Sequence, residues 1–268
     1  MRGKKRMRKV LGGLCITAAL IILTVFLIHY GPIFMDYKKS SDLYNGIKDK
    51  YTETGTNDPE ISALLSGVDH VKDEYAPIDV DSEKLQDQNT DYIGWIYVPK
   101  TDISYPVVKS TDNTDYLHRD FNKQYSFPGT IFMDCRCKSG VLNHHSVLYG
   151  HNMNNGSMFA GLKSFRDQKY VDEHPVFWFI TPKYKLLYKV YSVCNSNPYN
   201  RTQYGIDGVD YKNNEEFGKA IETMEKESVV KIQTDPIEDT DYIMSLSTCT
   251  GNSSVRCIVH GVLIGSVE

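Results

Sequence analysis

Nineteen consecutive residues without a charge, Val10–Ile28 (VLGGLCITAALIILTVFLI), constrain this chain more than any other feature. At 1.5 Å per residue, a helix of that length matches a hydrocarbon core about 30 Å thick. A cleaved leader is the rival reading. Its apolar part usually runs about 7–15 residues and ends in a small-residue cleavage pattern, whereas His29-Tyr30-Gly31-Pro32 follows here. An uncleaved single-pass anchor is therefore expected. Six of the 30 cations lie in Met1–Lys9, with no anion among them. The positive-inside rule then puts the amino terminus in the cytoplasm and everything after the anchor outside the cell.

Removing that basic tail leaves 24 cations against 34 anions. An acidic body argues against nucleic-acid binding, which needs clustered Lys and Arg on the phosphates. The expected organisation is a cytoplasmic basic tail (1–9), a transmembrane anchor (10–28), a helical stalk with N-terminal helices (29–75) and a catalytic domain (76–268). Within the stalk, Ile61, Leu64, Leu65 and Val68 recur at helical spacing, and Thr52–Pro59 reads as a loop between two helices.

The six cysteines are 15, 135, 137, 194, 249 and 257. Cys15 falls in the anchor, and the five others cannot all pair within one chain. A disulfide framework would show an even set, so a free thiol is expected. Cys135 and Cys137 read as same-face strand residues. With His144 and His145 they suggest a metal site, but their spacing is not that of a zinc ribbon or finger.

From about Leu85 the pattern is one of short strands. Tyr92–Val98 and Ile103–Val108 flank the turn Pro99-Lys100-Thr101-Asp102. Val176–Ile180 and Lys185–Val193 flank Thr181-Pro182-Lys183. Thr130–Asp134, Ser146–Tyr149, Asp241–Cys249 and Arg256–Ile264 complete the set. Phe217, Ala220, Ile221 and Met224 form one stripe of a helix over Asn214–Glu227. Many strands with few helices imply a mostly antiparallel barrel or sandwich.

Alternation along the Cys249 strand puts Ile243, Ser245, Ser247 and Cys249 on one face. Cys249 ends the strand beside a turn-rich loop, where substrate reaches a thiol. The same position equally suits a small buried core residue. Arg256 opens the next strand. Near the sulfur it would favour the thiolate and hold an oxyanion. On its own it reads more readily as a solvated charge, and Cys257 as core. His151 ends a strand and opens the loop Asn152-Met153-Asn154-Asn155-Gly156, a setting that presents catalytic side chains. His144 and His145 compete with it by position. His118, His174 and His260 have no comparable context.

Taken in order, Gly94-Trp95-Ile96, Tyr105-Pro106-Val107-Val108, Asp115-Tyr116-Leu117, Gly129 to Asp134 (GTIFMD), Leu148-Tyr149-Gly150-His151, Leu246-Ser247-Thr248-Cys249 and Arg256 resemble a sortase, specifically one of class B. The likeness runs from about Leu85 to the C-terminus. It implies an eight-stranded sortase-type β-barrel with N-terminal helices and one helix before the Cys-bearing strand, preceded by the transmembrane helix. It carries over Cys249 as nucleophile, His151 as general acid then base, and Arg256 as oxyanion or substrate stabiliser. Asn113, Leu117, Tyr199 and Ser247 become substrate-groove candidates. The loop between Cys249 and Arg256 is short for the class, and Cys135 stands where an aromatic residue is common.

The activity so implied is cysteine transpeptidation without cofactor or metal. The Cys249 thiolate attacks a Thr carbonyl in the C-terminal sorting signal of a surface protein, with an NPxTN-like or S/PPxTG-like motif. A thioester forms, and an amine of a lipid-linked peptidoglycan precursor (lipid II) resolves it. A chymotrypsin-like cysteine protease also places His before Cys on a β scaffold, but would release free acid and wants a carboxylate behind the His. A non-catalytic adhesin domain with Cys249 buried is the other rival. A papain-like fold is disfavoured, because its Cys precedes its His.

Overall fold

A computed structural model describes residues 2–55, 58–68, 71–137, 143–196, 209, 211–249 and 255–268; for Cys249 it describes the backbone. In chain order the elements are α1 (Arg2–Tyr51), β1 (Thr52–Thr54), α2 (Pro59–Ser66), β2 (Ile78–Val80), α3 (Ser82–Gln88), β3 (Tyr92–Tyr97), β4 (Ser104–Val108), β5 (Ile131–Met133), β6 (His145–His151), α4 (Gln168–Glu173), β7 (Val176–Ile180), β8 (Lys185–Ser196), α5 (Asn214–Lys226), β9 (Ile243–Cys249) and β10 (Arg256–Val267).

The apolar run lies within α1, which is long and apolar enough to cross a membrane. Its large apolar side chains from Leu11 to Ile28 are each at least half exposed, as lipid-facing residues are. The chain divides into two compact units, Met1–Asp42 and Leu43–Glu268. The last turns of α1 belong to the second unit, where Tyr44, Ile47 and Tyr51 are buried. The stretch read as a loop after them contains β1, which pairs with β2 in register Thr52↔Val80.

Eight strands close a barrel in the order β10-β8-β7-β3-β4-β5-β6-β9. Both expected hairpins form, with Tyr97 opposite Ser104 and Ile180 opposite Lys185. Two neighbour pairs, β4·β5 and β6·β9, are parallel, so the barrel is mixed. Its core is aromatic: Trp95, Trp178, Phe177, Phe179 and Tyr188 are all but fully buried. Trp95 donates to Ser104 Oγ (3.0 Å) and Trp178 to the Tyr75 carbonyl (2.8 Å), so neither indole loses a hydrogen bond on burial.

Helix α5 forms where its stripe predicts. Asn213 caps it by accepting from Glu216 N–H, and the Glu216 carboxylate accepts from Lys212 N–H. That reciprocal arrangement resembles a capping box, and its cap alone is worth about 1 kcal/mol. Phe217, Ala220, Ile221 and Met224 pack on Cys194, Ile243, Ile258 and Val262, at about 1.5–3 kcal/mol per large apolar side chain buried. Helix α5 therefore packs on one face of β8, β9 and β10.

One local expectation fails. Cys135 and Cys137 are not strand residues, because β5 ends at Met133. They lie in a turn held by Asp134, whose carboxylate accepts from Arg136 N–H and whose carbonyl accepts from Cys137 N–H. Cys135 is half-buried and Cys137 buried. An Asp that turns the chain with its own side chain ends the alternation early.

Candidate active site

The parallel ladder between β6 and β9 sets Tyr149 opposite Ser247 and His151 opposite Cys249. Adjacent strands lie about 4.8 Å apart, and aligned residues share a face. On the other flank of β9, Ile258 pairs with Ser247, and Cys257 N–H donates to Thr248 Oγ1 (3.1 Å). Carried one residue further, that register sets Arg256 level with Cys249. His151, Cys249 and Arg256 thus stand on three neighbouring strands, at one end of a shared face.

Gly150 permits this placement of His151. A Cβ there would stand 2.4 Å from Ile131 Cδ1 and 2.7 Å from Phe159 Cγ, so only Gly fits beneath the residue before the imidazole. The loop after it turns back at once, with Phe159 N–H donating to the His151 carbonyl (2.9 Å).

His151 is half-buried, and its Nε2 lies 2.9 Å from the Leu117 carbonyl. A carbonyl only accepts, so Nε2 carries the proton, and Nδ1 is the basic nitrogen of the neutral ring. The His118 and Phe127 rings stack on the imidazole, with centroids at 5.4 and 6.0 Å. Leu117 thus enters through its backbone. Asn113 Oδ1 accepts from Cys135 N–H (2.7 Å), tying its loop to the turn after β5.

Ser247 is fully buried, and its hydroxyl has no hydrogen-bond partner among the described residues. The same holds for Nε of half-buried Arg256. Buried polar groups without partners are groups that a bound peptide can satisfy. Tyr199 and the 250–254 loop lie outside the described residues.

The competing histidines separate cleanly. His144 is exposed and stacks on Tyr242. His145 is fully buried, with Nε2 2.6 Å from Ser245 Oγ and Nδ1 2.8 Å from the Tyr211 hydroxyl. Two neighbours escaped the sequence reading. His118 immediately follows Asp115-Tyr116-Leu117, and that adjacency was the available signal. Tyr149 shares the His151 face by alternation, and its hydroxyl donates to Asp134 Oδ2 (2.9 Å). Burial alone would raise the Asp134 carboxyl, but Arg136 and Tyr149 bonds outweigh it and hold it down at about 2. Asp134 is therefore a fixed anion in the wall beside the site.

Three described thiols are buried: Cys137, Cys194 and Cys257. Burial pushes Cys194 and Cys257 up to about 11, and Cys137 is raised for the same reason. They stay protonated at neutral pH and are poor nucleophiles.

A sortase-domain family model matches residues 96–264. Sortase B of Staphylococcus aureus (strain NCTC 8325 / PS 47) is 27% identical over 241 residues, covering 87% of this chain and 89% of that protein. Among solved structures, sortase B from B. anthracis in complex with AAEK1 superposes with a TM-score of 0.70 at 27% identity, covering 86% of this chain and 98% of that one. A Staphylococcus aureus sortase B–substrate complex gives 0.68 at 26% identity, covering 85% and 98%.

Proposed function

We propose a reaction for this chain from one premise: it belongs to the sortase family. It is a class B-like cysteine transpeptidase, and its long apolar N-terminal helix fits the membrane anchorage of that family. In the proposed reaction the Cys249 thiolate attacks the Thr carbonyl of an NPxTN-like or S/PPxTG-like sorting signal near the C-terminus of a surface protein. The observation that supports this reading most is the register of β9 with its two neighbours, which sets His151 opposite Cys249 and, two residues short of Arg256, Ile258 opposite Ser247.

Arg256 holds the tetrahedral oxyanion, a task that needs a donor aimed at the developing charge. His151 Nδ1 takes the Cys249 thiol proton and then gives it to the leaving amine, and the C–N bond breaks to leave a thioester on Cys249. An amine of the peptidoglycan precursor lipid II then attacks the thioester carbonyl. His151 Nδ1 takes the amine proton, the C–S bond breaks, and the surface protein is joined to the precursor through a new amide. Ser247, Asn113, Leu117 and Tyr199 line the peptide groove. With the amino terminus cytoplasmic and residues 10–28 in the bilayer, the catalytic unit works on the outer face. There enzyme, membrane-retained substrate and lipid-linked acceptor share one surface, which raises their effective concentration.

A fluorogenic sorting peptide mixed with candidate amines, read by mass spectrometry, tests this. The expected product is the amide, and Cys249→Ala abolishes it. Free acid as the dominant product with amine in excess would favour the hydrolytic protease instead.

A further inference from the structure

We infer that Tyr44, in the last turns of α1, is a positioning residue for His151, acting through Gly129 and the Leu117 carbonyl. The inference rests on the proposed catalytic role of His151 and adds a second tier behind it.

The buried Tyr44 hydroxyl donates to the Gly129 carbonyl (2.6 Å) and lies 2.9 Å from Thr130 Oγ1. Burial pushes this phenol up, so it remains a donor at any physiological pH. The two residues it grips close the loop 116–130 on itself. Thr130 N–H donates to the Tyr116 carbonyl (3.1 Å), Thr130 Oγ1 to the Arg119 carbonyl (2.8 Å), and Gly129 N–H to the Ser126 carbonyl (3.1 Å).

Gly129 has φ +63°, a left-handed conformation that favours glycine. A Cβ on it would lie 2.4 Å from both the Leu117 and the Tyr116 carbonyl oxygens. Gly129 therefore packs directly on the peptide whose oxygen takes the His151 Nε2 proton. The same loop supplies both rings stacked on the imidazole, and these are joined to each other, with His118 Nδ1 3.1 Å from the Phe127 carbonyl.

His151 is thus held at one edge and one face by a single loop, and the closure of that loop is gripped by Tyr44. Loosening the closure releases the Leu117 oxygen, and with it the bond that fixes the proton on Nε2 and leaves Nδ1 as the base. The end of the anchor helix, which belongs to the same compact unit as the barrel, is by this reasoning part of the active-site scaffold.

The test uses the full chain in detergent micelles. Tyr44→Phe keeps the ring and removes one hydrogen bond. It should lower kcat about three- to tenfold, the weight of one hydrogen bond, with KM for the sorting peptide unchanged. In 15N-histidine NMR, His151 should lose its fixed Nε2–H tautomer and shift its titration. Gly129→Ala should cost more, roughly a hundredfold, if it folds. Tyr75→Phe is the control, since it removes a phenol that donates to the Glu173 carbonyl and accepts from Lys100 Nζ, and it should lower thermal stability without touching the tautomer. If Tyr44→Phe matches that control, with kcat and the His151 tautomer intact, the inference is overturned. Full turnover by His151→Ala would instead overturn the catalytic reading, and the NMR readout would still judge the contact chain.

Discussion

His145, Ser245 and His260 stand on β6, β9 and β10, the same three strands and the same face that carry His151, Cys249 and Arg256 at the opposite end. The first group is fully buried, with Ser245 Oγ 2.6 Å from His145 Nε2 and 2.6 Å from His260 Nδ1. Its roof is α5 with Tyr211. The second group ends the ladder, and beside it Ser247 Oγ and Arg256 Nε have no hydrogen-bond partner among the described residues. Similar residue types on one ladder thus sit in two settings. In the first, Ser245 bridges the two imidazoles, while His260 Nε2 has no partner among the described residues.

The comparison breaks most visibly in activity. Cys249→Ala and His151→Ala should lower turnover by roughly a thousandfold or more, whereas His145→Ala, normalised to folded protein, should stay within about threefold. A His145→Ala enzyme as inactive as His151→Ala, at unchanged melting temperature, would erase the distinction between the two ends.

Thiol reactivity is the next contrast. Cys194 faces α5, and burial pushes it to about 11, which leaves roughly one molecule in ten thousand as thiolate at pH 7. Alkylation of the folded protein at neutral pH, mapped by mass spectrometry, should modify Cys249 and spare Cys194 and Cys257. Equal labelling of all three would contradict the assigned environments.

The two serines sharpen the comparison in stability. Ser245→Ala strips a bonded hydroxyl from between two buried imidazoles and should cost about 1–3 kcal/mol in urea denaturation. Ser247→Ala removes a hydroxyl with no described partner, so stability should change by less than about 0.5 kcal/mol while kcat/KM falls. The reverse pattern would mean that the covered and open ends have been confused.

The smallest effect is in pH. Burial, reinforced by neighbouring His145, holds His260 well below the ordinary histidine range. The unfolded chain therefore takes up this proton first. Stability from the buried neutral ring is complete above about pH 6.5 and is lost on acidification, at about 1 kcal/mol per pH unit. Unfolding free energies measured from pH 7.5 to 5.5 should show that slope, and His260→Gln should flatten it. An unchanged slope in the variant would place the acid sensitivity elsewhere.

Legibility in the sequence followed the range of the interaction responsible. The hairpins β3–β4 and β7–β8 were readable because their turns are local and their strands adjacent. Helix α5 was readable because its stripe is periodic over one segment. The parallel pairings β4·β5 and β6·β9 were not, since each joins strands with long excursions between them and no turn to set their register. The turn at Asp134 escaped because a short side-chain bond interrupted an apparent alternation. His118 looked contextless because its context is a loop folded over the β6 terminus.

The sequence alone determined that an apolar helix precedes a strand-rich body, and that Ser247 and Cys249 share a face at a strand's end. Both follow from periodicity within a single segment. Its ordered motifs also pointed to the family. Only the tertiary structure decided that His151 stands beside Cys249, that Leu117 acts through its carbonyl, and that His145 and His260 lie sealed beneath α5. Those facts depend on register between distant strands and on which end of a face a helix covers, and burying that face cooperatively specifies both at once.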